Sequence, residues 1–368
     1  MTNPRTGSSF LRTFGLTFLA IAALFVADTF LARTEQAETM VEAAREFKQG
    51  RVLMQKGENA EAIERIKDAI ANARGNRDYR RLLAQAQFAA GRTADAETTL
   101  KELLQGDSTD GLASLTMGRV LVGEGRFEEA ISYFHRAIDG HWNEDPTGNR
   151  LRVRFELVEL LAQHNSKEEL LAELLPLQEQ APGDPRTRTR IGRLFLLAGS
   201  PARAAEVFRG ILRDAPANAE VHAGFGEAEF ALGNYRAAQR NFQAALRLAP
   251  DDRATRQHLG LCDELLALDP TMRGLGPPER FRRSLKLIEL TIDDISQCLS
   301  RNPSPELREL LDEAGKALKA RVGVARQSEV AESHLDLAEQ LWQARKKECR
   351  SAPDNDSPLA LVLARLGQ

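Results

Sequence analysis

The chain has 368 residues, which is enough for one large domain or two ordinary ones. Hydrophobic residues make up 42% and charged residues 28%, so the composition is that of a chain that buries a core and excludes general disorder. The formal net charge of −3 provides no global attraction for nucleic acid. Because Ala, Leu, Glu and Arg are abundant helix formers, we expect an all-α protein.

An apolar segment lies near the N-terminus, from Phe14 to Leu31, and Arg5 and Arg12 precede it. Its 18 residues would span about 27 Å as a helix at about 1.5 Å per residue. This length is just sufficient for a hydrocarbon core of roughly 30 Å. We therefore predict three N-terminal parts, namely a short cytoplasmic tail, a transmembrane signal anchor and a juxtamembrane segment, at residues 1–13, 14–32 and 33–42.

A cleaved signal peptide is the competing interpretation of this segment. Cleavage prefers small residues at −1 and −3, but Phe25 and Phe30 stand at −3 before Ala27 and Ala32. This favours an uncleaved anchor. The arginines before the span favour a cytoplasmic N-terminus, with the rest of the chain in the periplasm. The predicted localisation is the inner membrane with a single pass; a chain facing the cytoplasm, or one cleaved and secreted, are the alternatives.

Internal self-similarity at a spacing of 34 residues follows the N-terminal segment. An insert at residues 141–146 lengthens one of the steps. The aligned segments begin at Ala43, Arg77, Gly111, Leu151, Pro185, Ala219 and Arg253.

Three positions of the segments carry most of the pattern. The eighth is small in most of them: Gly50, Ala84, Gly118, Gly192, Gly226 and Gly260. The fifteenth is glycine in five: Gly57, Gly91, Gly125, Gly199 and Gly233. The twenty-fourth is large and apolar: Ile66, Leu100, Phe134, Leu174, Phe208 and Phe242. These positions predict a helix with a small residue at its contact point, a reversal at glycine, and a second helix that packs closely.

This pattern resembles the tetratricopeptide repeat family over residues 43–268, in about six to seven repeats. The fourth repeat is degenerate, and the seventh keeps only its first helix. The resemblance implies a right-handed superhelical solenoid of helix pairs, in which neighbouring repeats complete each other's core. It also implies a bound protein or peptide partner.

The family resemblance further implies that the first helices line a concave groove through their second, fifth, ninth and twelfth positions. Arginine and exposed aromatic residues are typical of protein interfaces, and arginine binds carboxylates bidentately, so an acidic peptide is a reasonable ligand. Packing of the phenylalanines between repeats is the alternative. The candidate groove residues are Phe47, Arg51, Met54, Phe88, Arg119, Arg152, Phe155, Arg186, Arg193 and Phe230.

The C-terminal region, residues 269–368, leaves the repeat register after several Gly and Pro residues. Apolar residues at spacings of three and four predict helices there, and these helices are expected to cap the array; a separate binding module is the alternative. Outside the cytoplasm, Cys298 and Cys349 would be able to form a disulfide; burial as free thiols is the alternative.

Motifs that would indicate chemistry are missing from the sequence. No CxxC pair, zinc-binding His pattern or nucleotide-binding loop is present, so we predict no catalytic, cofactor-binding or metal site. The predicted function is a non-enzymatic protein–protein interaction scaffold tethered to the membrane, with no nucleic acid and no small-molecule substrate. An accessory subunit that positions a catalytic partner in a membrane-bound envelope-biogenesis complex is the alternative.

Overall fold

A computed structural model of the chain describes residues 6–299, 302–349, 351–352, 354 and 357–366. For residues 6–23, 26, 27 and 32 it describes the helical backbone only. The described part is all-α, and it divides into two compact units, Met1–Leu160 and Leu161–Gln368. This division falls within one helix, Pro146–Gln163.

Shorter and longer loops alternate between the helices that begin in the first unit, as they do in repeat pairs. Their bounds are α1 Thr6–Lys56, α2 Asn59–Asn72, α3 Arg77–Ala89, α4 Thr93–Gly106, α5 Gly111–Gly123, α6 Phe127–Asp139 and α7 Pro146–Gln163.

The second unit continues the helix pairs and then adds longer helices. Those of the pairs are α8 Lys167–Gln180, α9 Pro185–Leu197, α10 Pro201–Asp214, α11 Ala219–Ala231, α12 Tyr235–Leu248 and α13 Arg253–Leu268. The C-terminal helices are α14 Pro277–Cys298, α15 Pro305–Lys319, α16 Gln327–Glu348 and α17 Pro358–Leu366.

Five of the predicted repeat starts coincide with the first residue of a helix, at α3, α5, α9, α11 and α13. Two starts differ. In the fourth repeat the helix begins at Pro146, ahead of Leu151, because proline at the first helical position suits an N-terminus whose N–H needs no partner. Ala43 is no helix start at all, since it lies inside α1.

Helix α1 runs without a break from Thr6 to Lys56. The predicted juxtamembrane segment, 33–42, is therefore helical and continuous with the first helix of the first repeat. Most side chains of the predicted anchor, 14–32, lie outside the described residues. Within the described part of the chain, no helical stretch combines the length and apolar character needed to cross a bilayer. The anchor stays a prediction.

The glycines at the fifteenth position turn the chain between the two helices of a repeat. All five have positive φ, from 68° at Gly199 to 82° at Gly57. The degenerate fourth repeat places Asn165 there with φ 55°. Asparagine is one of the few other residues that adopts this left-handed conformation readily, so the turn persists without glycine.

Close helix contacts explain the small residues at the eighth position. An added Cβ on Gly50, Gly192 or Gly226 would lie 2.6, 2.7 or 2.5 Å from the bulky twenty-fourth residue of the same repeat. By contrast, Gly260 has no atom within 4 Å of such a Cβ. The seventh repeat lacks the usual second helix, so nothing presses on its glycine.

Helices α14 to α17 share one core with the last helices of the repeat array. Leu265 and Leu268 of α13 are buried in the same cluster as Leu287, Leu341 and Val362. A repeat array needs its terminal apolar face covered. The C-terminal region provides that cover for α13, as a cap would.

Candidate protein-binding surfaces

Asn or Asp side chains begin most of the first helices of the repeats. Each accepts a hydrogen bond from a backbone N–H of the helix's first turn, at 3.0 to 3.3 Å. Such caps typically contribute about 1 kcal/mol each. They set where each first helix starts, and therefore which side chains share a face. The capping residues are Asn76, Asp110, Asp184, Asn218 and Asp252.

The repeat pattern of apolar and small residues does not include these caps, although their signal is present in the sequence. Each occupies the position immediately before an aligned segment, and a column of Asn and Asp there is typical of helix N-caps. Asp110 has a second role. It is 3% exposed and accepts hydrogen bonds from Arg81 Nε at 2.7 Å and from an Arg77 guanidinium nitrogen at 3.3 Å.

Among the candidate arginines of the first unit, Arg119 is already paired. Its Nε and a terminal nitrogen donate to the two carboxylate oxygens of Glu156 at 2.8 and 2.6 Å. This bidentate pair joins α5 to α7. Arg51 and Arg152 are exposed, and the described residues give neither of them an ion-pair partner.

The candidate apolar residues of the first unit lie mostly in helix packing. Phe47 stacks on Tyr79 with ring centroids 4.5 Å apart and an interplanar angle of 24°. Met54 is half-buried beside the cluster of Ile63 and Ile66. Phe155 is only 9% exposed. For these side chains, packing between helices describes the structure better than a groove lining does.

Phe88 is neither fully packed between helices nor fully exposed. It is half-buried, and a Cβ added to Gly123 would lie 3.7 Å from its ring. The ring therefore bridges neighbouring repeats and keeps part of its surface exposed.

In the second unit, the two candidate arginines of α9 differ in their surroundings. Arg186 is exposed, with no ion pair to any described residue. Arg193 lies 3.3 Å from a carboxylate oxygen of Glu220, and both side chains are more than half exposed. Exposed pairs of this kind contribute about 0–1 kcal/mol, so a ligand carboxylate would displace Glu220 at little cost.

Phe230 packs at the end of the repeat array. Its ring centroid is 5.2 Å from that of Tyr235, and it contacts the C-terminal core as a half-buried side chain. Arg365 of α17 lies over the other aromatic ring, 5.5 Å from the centroid of Tyr235. Burial raises the pKa of the Tyr235 hydroxyl. Phe230 thus links repeat and cap more than it lines a surface.

In the C-terminal region, a disulfide links the C-terminal ends of α14 and α16. Cys298 and Cys349 are joined in a disulfide, with Cα atoms 5.4 Å apart. Nearby, the buried Arg345 donates to Asp294 at 2.6 Å and to the carbonyl oxygen of Ser351 at 2.7 Å. The third cysteine, Cys262, is a buried thiol.

Potential metal ligands and catalytic side chains are not clustered in the part of the chain that the structure describes. No group of three His, Cys, Asp or Glu side chains there is close enough to hold a metal ion. The marked pKa shifts have simple causes. Hydrogen bonds from Arg282 and Arg283 lower the pKa of Glu279 to about 2, and burial raises the pKa of Cys262 to about 12.

Helix pairs that recur every 34 residues define this chain as a helical repeat protein. Within a pair, a residue with positive φ turns the chain, and a small residue of the first helix contacts a bulky residue of the second. Two family profiles, both described as tetratricopeptide repeat, match residues 47–111 and 115–185 and residues 195–270. Together they cover more than half of the chain, which belongs to the tetratricopeptide repeat family. Proteins of this family are generally protein–protein interaction scaffolds, and no enzyme family was detected. No curated protein matches the chain significantly.

Solved structures of repeat proteins are similar to this chain at low identity. YrrB, a tetratricopeptide repeat protein with an unusual peptide-binding site, is 19% identical over 53% of this chain and 98% of its own, with a TM-score of 0.44. The C-terminal part of a repeat protein from Cytophaga hutchinsonii is 15% identical over 60% and 86%, with a TM-score of 0.48. PilW, a widely conserved type IV pilus biogenesis factor, is 18% identical over 59% and 98%, with a TM-score of 0.41.

Proposed function

We propose that this repeat protein is a membrane-tethered scaffold that binds an acidic segment of a partner protein through arginines of its first helices. One observation carries the proposal. Arg51, Arg152 and Arg186 are exposed on first helices and form no ion pair with a described residue. Arginine presents a planar set of donors that suits a carboxylate, and the intramolecular pair of Arg119 with Glu156 is an example of that contact in this chain.

The aromatic candidates contribute less to this proposal than the arginines. Since Phe47 and Phe155 pack between helices, they hold the first helices in place rather than contact the partner. Affinity then depends mainly on charge, and it falls as salt rises because exposed ion pairs are screened. Each unit offers its own arginines, so the two units can be tested separately.

The binding experiment uses the full-length protein in detergent and a fluorescently labelled, Glu-rich peptide with a free C-terminal carboxylate. Anisotropy should show saturable binding that weakens with salt. Arg51→Glu with Arg152→Glu in the first unit, or Arg186→Glu in the second, should reduce affinity about tenfold or more, as loss of a charge-assisted contact does.

The matched control is Arg203→Glu, a reversal of an exposed arginine on the second helix α10. It changes net charge by the same amount as Arg186→Glu and should change affinity by about twofold at most, since only long-range electrostatics is altered. Equal effects of Arg186→Glu and Arg203→Glu would show that binding depends on the overall charge of the protein, and the proposed binding surface would be wrong.

The tether is the second part of the proposal, with the periplasm as the compartment of the repeats. The apolar segment 14–32, which continues as helix into the first repeat, supports it. The chain should stay in the membrane fraction after alkaline extraction, and a chain without residues 1–32 should not. A reporter fused after Gln368 that is active only in the periplasm tests the orientation; activity only in the cytoplasm would reverse it.

A further inference from the structure

A cleft in the second unit opens between α13, α14 and the start of α17. Its volume is about 600 Å³. Apolar side chains from three separate helices line the cleft: Ala267, Leu268, Leu290, Pro358 and Leu359. Ligand clefts in proteins commonly have volumes of roughly 300–1,000 Å³. This cleft has the size of a binding site.

Three of these apolar side chains, Leu268, Leu290 and Leu359, are held by the C-terminal core. Leu268 is 8% exposed, and it belongs to the same buried cluster as Leu287 and Leu363. Leu290 and Leu359 are half-buried at the edge of that cluster. The apolar surface is therefore shaped before a ligand arrives, so little ordering is needed on binding.

The rim of the cleft is acidic. Glu264 and Asp293 are exposed there, and no ion pair to either is present among the described residues. Asp294 is also on the rim, but it accepts from Arg345 at 2.6 Å. The rim cation, Lys286, lies 2.8 Å from Glu289. The charge available to a ligand is thus negative.

We infer that this cleft binds an amphipathic helix of a partner protein, with leucine-like side chains on one face and Lys or Arg beside them. An open apolar groove receives such a face through residues spaced three and four apart. The carboxylates of Glu264 and Asp293 then meet the flanking cations, which selects against acidic helices. The cleft is opposite in charge to the arginine surfaces of the first helices, so the two sites take different ligands.

The test uses the full-length protein in detergent and a labelled synthetic peptide of about 14 residues, roughly four turns of helix. The peptide contains only Leu and Lys, with Leu spaced three and four apart. Two further peptides are its Leu/Glu counterpart and a Leu/Lys scramble with the same composition but no apolar face. Fluorescence anisotropy should show saturable binding of the first peptide alone.

Substitutions in the protein then test whether the peptide binds in this cleft. The double reversal Glu264→Lys with Asp293→Lys should weaken binding about tenfold or more because both rim carboxylates are lost. Leu290→Asp should abolish it by placing a charge on the apolar surface. The control is Glu309→Lys, an exposed residue of α15 away from the cleft, which should change affinity by about twofold at most.

Several results would overturn the inference. They are absent binding of the Leu/Lys peptide, equal binding of the scramble or the Leu/Glu peptide, and an equal loss with Glu309→Lys. A dimer in solution that Leu290→Asp dissociates would assign the cleft to a second copy of the chain instead. Arg186→Glu should leave Leu/Lys binding unchanged, which separates this test from that of the acidic-peptide surface.

Discussion

Gly226 lies directly against the ring of Phe242 within one repeat: an added Cβ would stand 2.5 Å from Cε1 of that ring. The two residues occupy the eighth and twenty-fourth positions, on α11 and α12. Phe242 is fully buried, so its ring cannot move into solvent to relieve the contact. The contact explains why the pattern combines a small residue with a large one.

The first prediction concerns this contact. Gly226→Ala should destabilise the fold by about 1–3 kcal/mol, the usual cost of overpacking a tight core. Gly260→Ala is the matched control, since its Cβ would meet nothing within 4 Å. Its effect should be a gain of about 0.5–1 kcal/mol from helix propensity. Thermal unfolding followed by circular dichroism compares the two, and a raised Tm for Gly226→Ala would contradict the packing argument.

The second prediction concerns Arg345, which is 3% exposed and pairs with Asp294. Asp294→Ala leaves this buried guanidinium without its carboxylate, and such a loss costs about 3 kcal/mol. Glu289→Ala breaks the exposed pair with Lys286 and should cost at most about 1 kcal/mol. Chemical denaturation of both variants measures the difference. Equal midpoints would show that the Arg345 pair contributes no more than a surface pair.

The third prediction concerns the cysteines. Protein recovered from an oxidising compartment should yield a Cys298–Cys349 linked peptide in non-reducing mass spectrometry. Cys298→Ser should lower stability by about 2–4 kcal/mol, because the cross-link restricts the unfolded chain. Cys262, whose pKa burial raises to about 12, should resist alkylation at pH 8 until the chain unfolds. Rapid alkylation of Cys262 in the folded protein would contradict its burial.

The fourth prediction concerns pH. His334 is 5% exposed, and its Nδ1 lies 3.0 Å from the hydroxyl oxygen of Ser284. Burial lowers the pKa of His334 from its usual 6.5. The unfolded chain then binds more protons between the folded pKa and 6.5, so the free energy of unfolding falls as pH drops through that window. Above it, His334 contributes no pH dependence.

Thermal unfolding between about pH 8 and about pH 5 checks this window. His334→Gln keeps a polar side chain next to Ser284 but cannot titrate, and it should lose part of the decrease in Tm below pH 6.5. The Phe281 ring, 5.3 Å from the imidazole, should maintain the packing in both proteins. An identical pH profile for wild type and variant would show that His334 stays neutral in both states or titrates normally in the fold.

Much of the repeat architecture could be predicted from the sequence because it depends on local chemistry. A glycine that needs positive φ, as at Gly125, or a proline at a helix start, as at Pro185, determines structure within a few residues of itself. The N-cap column, from Asn76 to Asp252, is equally local, but it lies outside the apolar and small positions that define the repeat pattern.

The candidate surface was predicted less well, since exposure depends on neighbours distant in sequence. Position within a repeat put Phe155 and Arg152 in the same class, yet one is buried and the other exposed. Arg119 is occupied by Glu156, a residue 37 positions away. No spacing rule within one repeat indicates such a partner.

The sequence by itself determined that this protein is an all-α tetratricopeptide repeat chain, because most repeats contain their own turn and contact point. Only the tertiary structure decided that α1 continues unbroken into the first repeat, that Phe47 stacks on Tyr79, and that α13, α14 and α17 enclose an acidic-rimmed cleft. The stacking and the cleft arise from side chains that meet across different helices, and a linear pattern does not show which residues of two helices come into contact.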